Sequence, residues 1–220
     1  MKIIKIINMN LEINNIHFSY GAETLLKNIN LSVNKGKIYG IGGLNGSGKT
    51  TLLKVIKGEV LPQQGSVKSS GYVIGYVPQD NGLWDTFYVR EVLTIFQKIP
   101  DEETFNSFLY DSLNVDELKN RKISELSHGQ LKRVQIYVGS LNRPDYILLD
   151  EPFSGLDYGQ KERLKNFLIS IKSDIGIFLT SHDLNIIKNT CDESYIIQNQ
   201  RLVSLFDIEA GDLRKFIQES

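Results

Sequence analysis

The feature that most constrains this chain is a glycine-rich octapeptide at residues 43–50, GLNGSGKT, between a predicted strand and a predicted helix. It matches the pattern G-x-x-x-x-G-K-[ST] at each fixed position. Glycine permits the tight bend that directs backbone N–H groups at phosphate oxygens, and the following helix adds the positive end of its dipole. The octapeptide therefore predicts a phosphate-binding loop that binds nucleotide through Gly43, Asn45, Gly46, Ser47, Gly48, Lys49, Thr50 and Thr51.

Two side chains of this loop carry specific chemistry. Lys49 supplies a positive charge for the β- and γ-phosphates, and the Thr50 hydroxyl is suited to bind Mg²⁺. The loop alone is compatible with several classes of protein, namely GTPases, kinases and many ATPases. A small GTPase is disfavoured because the sequence has no Asn-Lys-x-Asp motif to read the base.

A second acidic centre follows at residues 146–151, YILLDE, where an apolar strand ends in two carboxylates. Carboxylates at the end of a buried strand are costly unless they meet a cation or hydrogen-bond donors. We expect Asp150 to hold Mg²⁺ directly or through water, and Glu151 to act as general base towards the attacking water. A solvated acidic turn is the alternative, which the phosphate-binding loop makes less favourable.

Hydrophobic periodicity predicts the organisation of the chain. Strands are predicted at 1–7, 11–18, 29–33, 37–41, 72–77, 146–149 and 175–179, and a helix at 50–56. Residues 62–71 read as turns, and residues 195–204 as a hairpin that turns near Asn199 and Gln200, before a terminal helix. The pattern predicts an α/β core interrupted at approximately 81–142 by a mostly helical insertion, which includes an acidic helix start at 101–103.

Composition and charge narrow the class further. The 220 residues carry a net charge of −1, which gives no general electrostatic reason to bind nucleic acid, so no nucleic-acid partner is expected. A single cysteine excludes an internal disulfide. No stretch approaches the roughly 20 apolar residues that a spanning helix needs.

A short segment between the two motifs resembles the signature of a known family. Residues 126–130, LSHGQ, resemble the L-S-G-G-Q signature of the ATP-binding cassette (ABC) ATPases, with His128 in place of the first glycine. Ser127 and Gln130 also fit a capping box at the start of an amphipathic helix, and the two interpretations are compatible. The resemblance implies that Ser127, Gly129 and Gln130 contact the ATP bound by an opposite subunit.

Further residues occur in the order and spacing of that family, and their roles are implied by the resemblance alone. Tyr20 resembles the aromatic residue that stacks on adenine. Gln79 resembles the glutamine that contacts Mg²⁺ and water, Asp157 belongs to a loop that links two ATP sites, and His182 resembles the histidine that reaches the γ-phosphate. Each has a plainer alternative: Tyr20 as a strand residue, Asp157 as a helix cap with Gln160, and His182 as a first-turn residue inside a capping box. Thr180 and Asp183 would form that capping box.

The resemblance covers about residues 11–203 and implies a single nucleotide-binding domain at 1–220. The expected fold is a P-loop NTPase core, with a RecA-like mixed sheet and flanking helices, an antiparallel β-subdomain and the inserted helical subdomain. The implied activity is Mg²⁺-dependent ATP hydrolysis that drives dimerisation with a second such subunit, either identical or different.

That activity is expected to power a membrane transporter whose permease subunits are separate chains. The protein is then cytoplasmic and peripheral on the inner face of the cell membrane. The absence of an extra regulatory domain favours export by analogy. The alternatives are a soluble ABC ATPase that acts on a macromolecular assembly and a nucleotide-gated binding module with little turnover.

Two positions depart from the family pattern. His128 adds a bulky side chain to the signature, although Ser127 and Gly129 retain the hydroxyl and the close backbone approach. Tyr88 stands where many relatives have threonine. The apolar residues after Gln79 are expected either to fill the core of the helical subdomain or to form a groove for the membrane subunit; they are Leu83, Trp84, Phe87 and Tyr88.

Overall fold

The computed structural model describes residues 10–69, 71–80, 85–96, 103–141 and 143–207. The predicted strand at 1–7, the terminal helix, and Leu83 and Trp84 lie outside these ranges. Within the described ranges, no helix is both long enough and apolar enough to cross a membrane.

A six-stranded sheet forms the centre of the protein, in the order β5-β6-β7-β3-β8-β9. Its first five strands are parallel, and β9 is antiparallel to β8, so the predicted mixed sheet is confirmed. The strands are β3 (Ile38–Gly42), β5 (Ile74–Val77), β6 (Tyr146–Leu149), β7 (Gly176–Ser181), β8 (Glu193–Gln198) and β9 (Arg201–Ser204). The predicted β8–β9 hairpin is also confirmed, because Asn199 and Gln200 both adopt positive φ, as a tight two-residue turn requires.

Side chains on this sheet alternate between two apolar cores. In β6, Tyr146 and Leu148 face one core while Ile147 and Leu149 face the other, and all four are buried. Since each fully buried large apolar side chain contributes about 1.5–3 kcal/mol, both faces of β6 must be covered. Helices cover them: α1 (Lys49–Lys57) on the first face, and α4 (His128–Ser140), α5 (Tyr158–Ile171) and α6 (Leu184–Thr190) on the second.

A second, antiparallel sheet of three strands, in the order β2-β1-β4, packs into the first core. Its strands are β1 (Leu11–Tyr20), β2 (Glu23–Val33) and β4 (Gln64–Lys68). The existence of β4 corrects the prediction of turns at 62–71. The sequence does not predict this strand, because its residues are mostly exposed, include Gly65 and show no apolar alternation. The strand forms through its pairing with β1.

The chain leaves the central sheet after β5 and returns to the neighbouring strand β6. The described residues between them are mainly helical, as the sequence predicts. They form α2 (Val89–Phe96), α3 (Glu103–Ser112), two single-turn 3₁₀ helices (Asp116–Leu118 and Ile123–Glu125) and α4. Of the predicted acidic helix start at 101–103, only Glu103 lies in the described part, where it begins α3.

Candidate active site

The predicted phosphate-binding and acidic residues lie at one edge of the central sheet. Each follows the carboxyl end of a parallel strand: the loop at 43–50 follows β3, Gln79 follows β5, Asp150 follows β6 and His182 follows β7. Because β5, β6, β7 and β3 are neighbours, their carboxyl ends bring these segments together. Ligands of open α/β sheets bind at this edge.

The loop at 43–50 has the backbone shape that its glycines predict. Gly46 and Gly48 adopt φ of 79° and 102°, values that other residues rarely reach. At Gly43, a Cβ atom would lie 2.5 Å from Ser47 Oγ. Lys49 Nζ donates to the Gly43 and Leu44 carbonyl oxygens at 2.7 and 3.2 Å, which holds the loop around the ammonium group.

Lys49 also faces the acidic centre. Its Nζ lies 3.5 Å from Glu151 Oε1, and each side chain is more than nine-tenths buried. The other carboxylate oxygen of Glu151 lies 3.0 Å from Nδ1 of His182. Glu151 is therefore held between a lysine and a histidine. Its φ of 48° is unusual for a residue with a side chain, and such strain is concentrated at functional sites.

Asp150 precedes Glu151 in the chain and is 1% exposed. Thr50 Oγ1 donates to one of its carboxylate oxygens and Thr180 Oγ1 donates to the other, both at 2.7 Å. Thr180 Oγ1 also accepts a hydrogen bond from the backbone N–H of Glu151 at 2.9 Å. One threonine of β7 thus fixes both acids.

Thr180 is a site residue that the sequence analysis missed. The sequence predicts a role for Thr180 only in the alternative capping box with Asp183 around His182. That alternative is wrong: Asp183 alone caps α6, by accepting from the Asn185 N–H, and His182 lies before the helix. The residue pattern alone could not show that β7 runs beside β6, which is what directs Thr180 at Asp150.

A cavity of about 180 Å³ opens over these groups. It is lined by Leu25, Asn45, Gly46, Ser47, Gly48, Lys49, Thr50, Thr51, Gln79 and Glu151. Among the described residues, Ser47 Oγ at this cavity is buried without a hydrogen-bond partner, although such groups are normally paired. A buried hydroxyl, convergent backbone N–H groups and a lysine fit the oxygens of a polyphosphate. The hydroxyl and carboxylate oxygens of Thr50 and Asp150 are the hard donors that Mg²⁺ prefers.

The signature residues lie elsewhere in the chain. Ser127 caps α4 and forms the predicted capping box with Gln130. Together with Gly129 they line a separate cavity of about 230 Å³, next to α5. Asp157 caps α5 through Gln160, as its structural alternative predicts.

A Cβ atom on Gly129 would lie 2.6 Å from Gln160 Nε2, so the start of α4 packs directly against the Gln160 side chain of α5. The side chain of the unusual residue His128 lies beside Gly155: a Cβ atom on that glycine would be 3.5 Å from His128 Nδ1. The signature and the loop that precedes α5 are therefore in contact within one chain.

Tyr20 lies at the end of β1 and is 52% exposed. Its ring meets Phe18 edge to face, with 4.8 Å between ring centroids. It is not among the residues that line the 180 Å³ cavity. An exposed aromatic face at this position remains available for stacking.

The sequence and fold of this chain are similar to those of proteins in one family. The sequence model of the ABC transporter family matches residues 26–154. An ABC transporter ATP-binding protein of Methanocaldococcus jannaschii, MJ1023, is 34% identical over 205 residues, which are 90% of this chain and 78% of that protein. The zinc import ATP-binding protein ZnuC of Chromohalobacter salexigens is 35% identical over 80% of this chain and 75% of its own length.

A solved structure is similar along most of the chain. The ADP conformation of MJ1267, described as an ATP-binding cassette of an ABC transporter, has a TM-score of 0.75 and 28% identity, with 89% of this chain and 90% of that chain covered. The extent of the family match and the identity to curated relatives lead to one assignment: the chain belongs to the ABC transporter family, as an ATP-binding subunit with the ATPase activity that such cassettes couple to transport.

Proposed function

We propose that this subunit hydrolyses ATP in a site completed by a second cassette. The observation that carries the proposal is the separation of the two halves within one chain. Lys49 and Glu151 line the 180 Å³ cavity, whereas Ser127 and Gln130 line the 230 Å³ cavity beside α5. A head-to-tail pair places the signature of each chain over the phosphate loop of the other, so that the γ-phosphate joins the interface and its hydrolysis releases it.

The loop binds the nucleotide, and the acidic centre activates the water that attacks it. Backbone N–H groups of the loop, Ser47 Oγ and Lys49 bind the phosphates, and Tyr20 stacks on the adenine. Glu151 orients and deprotonates the attacking water, and His182, which contacts Glu151 at 3.0 Å, reaches the γ-phosphate. The Lys49 ammonium at 3.5 Å stabilises the charge of Glu151.

Thr50, Asp150 and Gln79 are the residues that would hold Mg²⁺. The bound cation would neutralise charge on the phosphates. Asp150 is oriented for this task by the two threonine hydroxyls that donate hydrogen bonds to its carboxylate. The second cassette completes the contacts to the nucleotide from the opposite side, through Ser127, Gly129, Gln130 and Asp157.

The family assignment supports a proposal for the assembly. We infer that two such cassettes, each a single nucleotide-binding domain with its helical subdomain at about 81–142, work with separate membrane-spanning permease subunits. They lie on the cytoplasmic face of the membrane, where ATP is available. Phe87 and Tyr88, just before α2, contribute to the face of the helical subdomain that meets the permease.

Export was expected from the sequence by analogy, but the curated relatives include zinc import proteins, so the comparisons do not support it. No observation favours the alternative of a soluble ABC ATPase that acts on a macromolecular assembly.

The test is ATP-dependent dimerisation of Glu151→Gln, measured by analytical ultracentrifugation with Mg²⁺ and ATP. Binding without turnover should produce a stable dimer, which disappears when Ser127→Arg is added to the same chain. A monomer under all conditions, or hydrolysis by Glu151→Gln at the unaltered rate, would contradict the composite site.

A further inference from the structure

Two buried polar side chains of α4 hold the backbone around Gln79. Lys132 Nζ donates to the Pro78 carbonyl oxygen at 3.4 Å, and Gln135 Nε2 donates to the Asp80 carbonyl oxygen at 3.1 Å. Lys132 and Gln135 are three positions apart, which places them on one face of the helix. They are only 7% and 4% exposed. The peptide groups before Gln79 and after Asp80 are therefore both fixed to α4.

The same helix is fixed to the strand that leads into Gln79. A Cβ atom on Gly75 would lie 2.0 Å from the Gly139 carbonyl oxygen, and one on Gly139 would lie 2.7 Å from Val77 Cγ2. The backbones of α4 and β5 thus approach more closely than side chains would permit. Close-packed contacts of this kind transmit displacement instead of absorbing it.

The chemistry of Lys132 indicates more than space filling. Burial lowers the pKa of this lysine, while the charges of Asp150, Asp80 and Glu151 oppose that shift. An apolar side chain of similar length would fill the same volume without the cost of desolvating a charge. What the ammonium group adds is a hydrogen bond to the Gln79 segment and proximity to the acidic centre.

We propose that Lys132 and Gln135 are positioning residues, which couple the signature end of α4 to Gln79. The inference rests on the proposed function, in which Ser127 at the start of this helix meets the partner's ATP. Contact at Ser127 shifts α4, and the two hydrogen bonds carry the shift to the backbone of Gln79. Since Gln79 lines the phosphate cavity, the chain's own site then responds to the state of the opposite one.

The test uses the full chain with Lys132→Met, Gln135→Met and the double substitution. Lys188→Met, on an exposed position of α6, is the matched control. Four quantities are measured: the Kd for ATP, kcat and KM for hydrolysis, the melting temperature, and the change in tryptophan fluorescence on adding Mg²⁺ and ATP. Trp84 is the single tryptophan and follows Gln79 by only a few residues, so it reports on this segment.

We expect Kd and KM to stay within about threefold, whereas kcat falls at least tenfold and the fluorescence change falls by more than half. The kcat of the double variant should be only slightly lower than that of the more affected single variant, because the effects of residues that act as a unit are not additive. Lys188→Met should match the unaltered chain in all four measurements.

Unaltered kcat in a folded double variant would overturn the inference. So would a loss of kcat that is matched by losses of ATP affinity and melting temperature, because that indicates a structural role only. If the double variant does not fold, the single variants decide by the same criteria. Failure of Glu151→Gln to dimerise refutes the proposed function instead, so the two failures are distinguishable.

Discussion

Glu151 Oε1 lies 3.5 Å from Lys49 Nζ at the base of the phosphate cavity, with both side chains more than nine-tenths buried. The loop lysine therefore has two tasks. It supplies charge for the phosphates, and it compensates a buried carboxylate that would otherwise be costly. This second task makes the stability of the fold depend on a residue known mainly for binding nucleotide.

Lys49→Met should accordingly weaken ATP binding and also lower the free energy of unfolding by about 3 kcal/mol, because Glu151 loses its buried cation. Urea denaturation without nucleotide measures the second effect. The matched control is Lys49→Met with Glu151→Gln, which removes the charge that Lys49 compensates. The double variant should recover at least half of the lost stability. Equal stability of the single and double variants would contradict the pairing.

Thr180→Val tests the threonine that fixes both acids. The substitution keeps the shape of the side chain but removes the donor to Asp150 and the acceptor for the Glu151 N–H, so it leaves buried polar groups unpaired. We expect a loss of about 1–3 kcal/mol of stability and at least a tenfold decrease in kcat. Thr190→Val is the control, since Thr190 is also buried and has no side-chain hydrogen bond within the described ranges. A wild-type kcat for Thr180→Val would exclude a role in orienting the acids.

Features that depend on neighbouring residues were predictable from the sequence. The phosphate loop needs glycines at fixed spacing, the β8–β9 turn needs two residues that tolerate positive φ, and the caps at Ser127 and Asp157 need a partner three residues later. Each of these signals is complete within about ten residues, so no knowledge of the fold is required.

Features that depend on the fold were not predictable. Thr180 meets Asp150 because β7 pairs with β6, and Lys132 meets Pro78 because α4 lies against β5. The strand β4 forms through its pairing with β1, although its own residues are mostly exposed. In each case the partner is distant in sequence, and the residue type alone is typical of an ordinary strand or helix.

Substitutions at Ser127 separate its capping role from its proposed contact with the partner's ATP. Ser127→Ala should cost about 1 kcal/mol of stability, because the N–H of Gln130 loses its acceptor. Ser127→Asp retains a good cap, and stability should change by less than about 0.5 kcal/mol. Its carboxylate would nevertheless repel a γ-phosphate.

In the Glu151→Gln background, Ser127→Asp should therefore abolish the ATP-dependent dimer, whereas Ser127→Ala should weaken it. Sedimentation with Mg²⁺ and ATP measures both. A stable dimer with Ser127→Asp would show that the helix start does not face phosphate.

The close approach of α4 to β5 is tested by two glycines with different surroundings. Gly75→Ala forces a Cβ atom to within 2.0 Å of the Gly139 carbonyl oxygen, and backbone cannot move aside as a side chain can. We expect chemical denaturation to show a loss of at least about 2 kcal/mol in the free energy of unfolding. The turnover number kcat should also fall, because α4 shifts relative to Gln79. Gly159→Ala, in the first turn of α5, meets only ordinary contacts at 3.5 and 3.7 Å. It should be neutral or stabilising by about 0.5–1 kcal/mol, since alanine favours the helix. Equal effects of the two substitutions would mean that α4 and β5 can separate without cost, and the rigid connection between the signature helix and the Gln79 segment would then be absent.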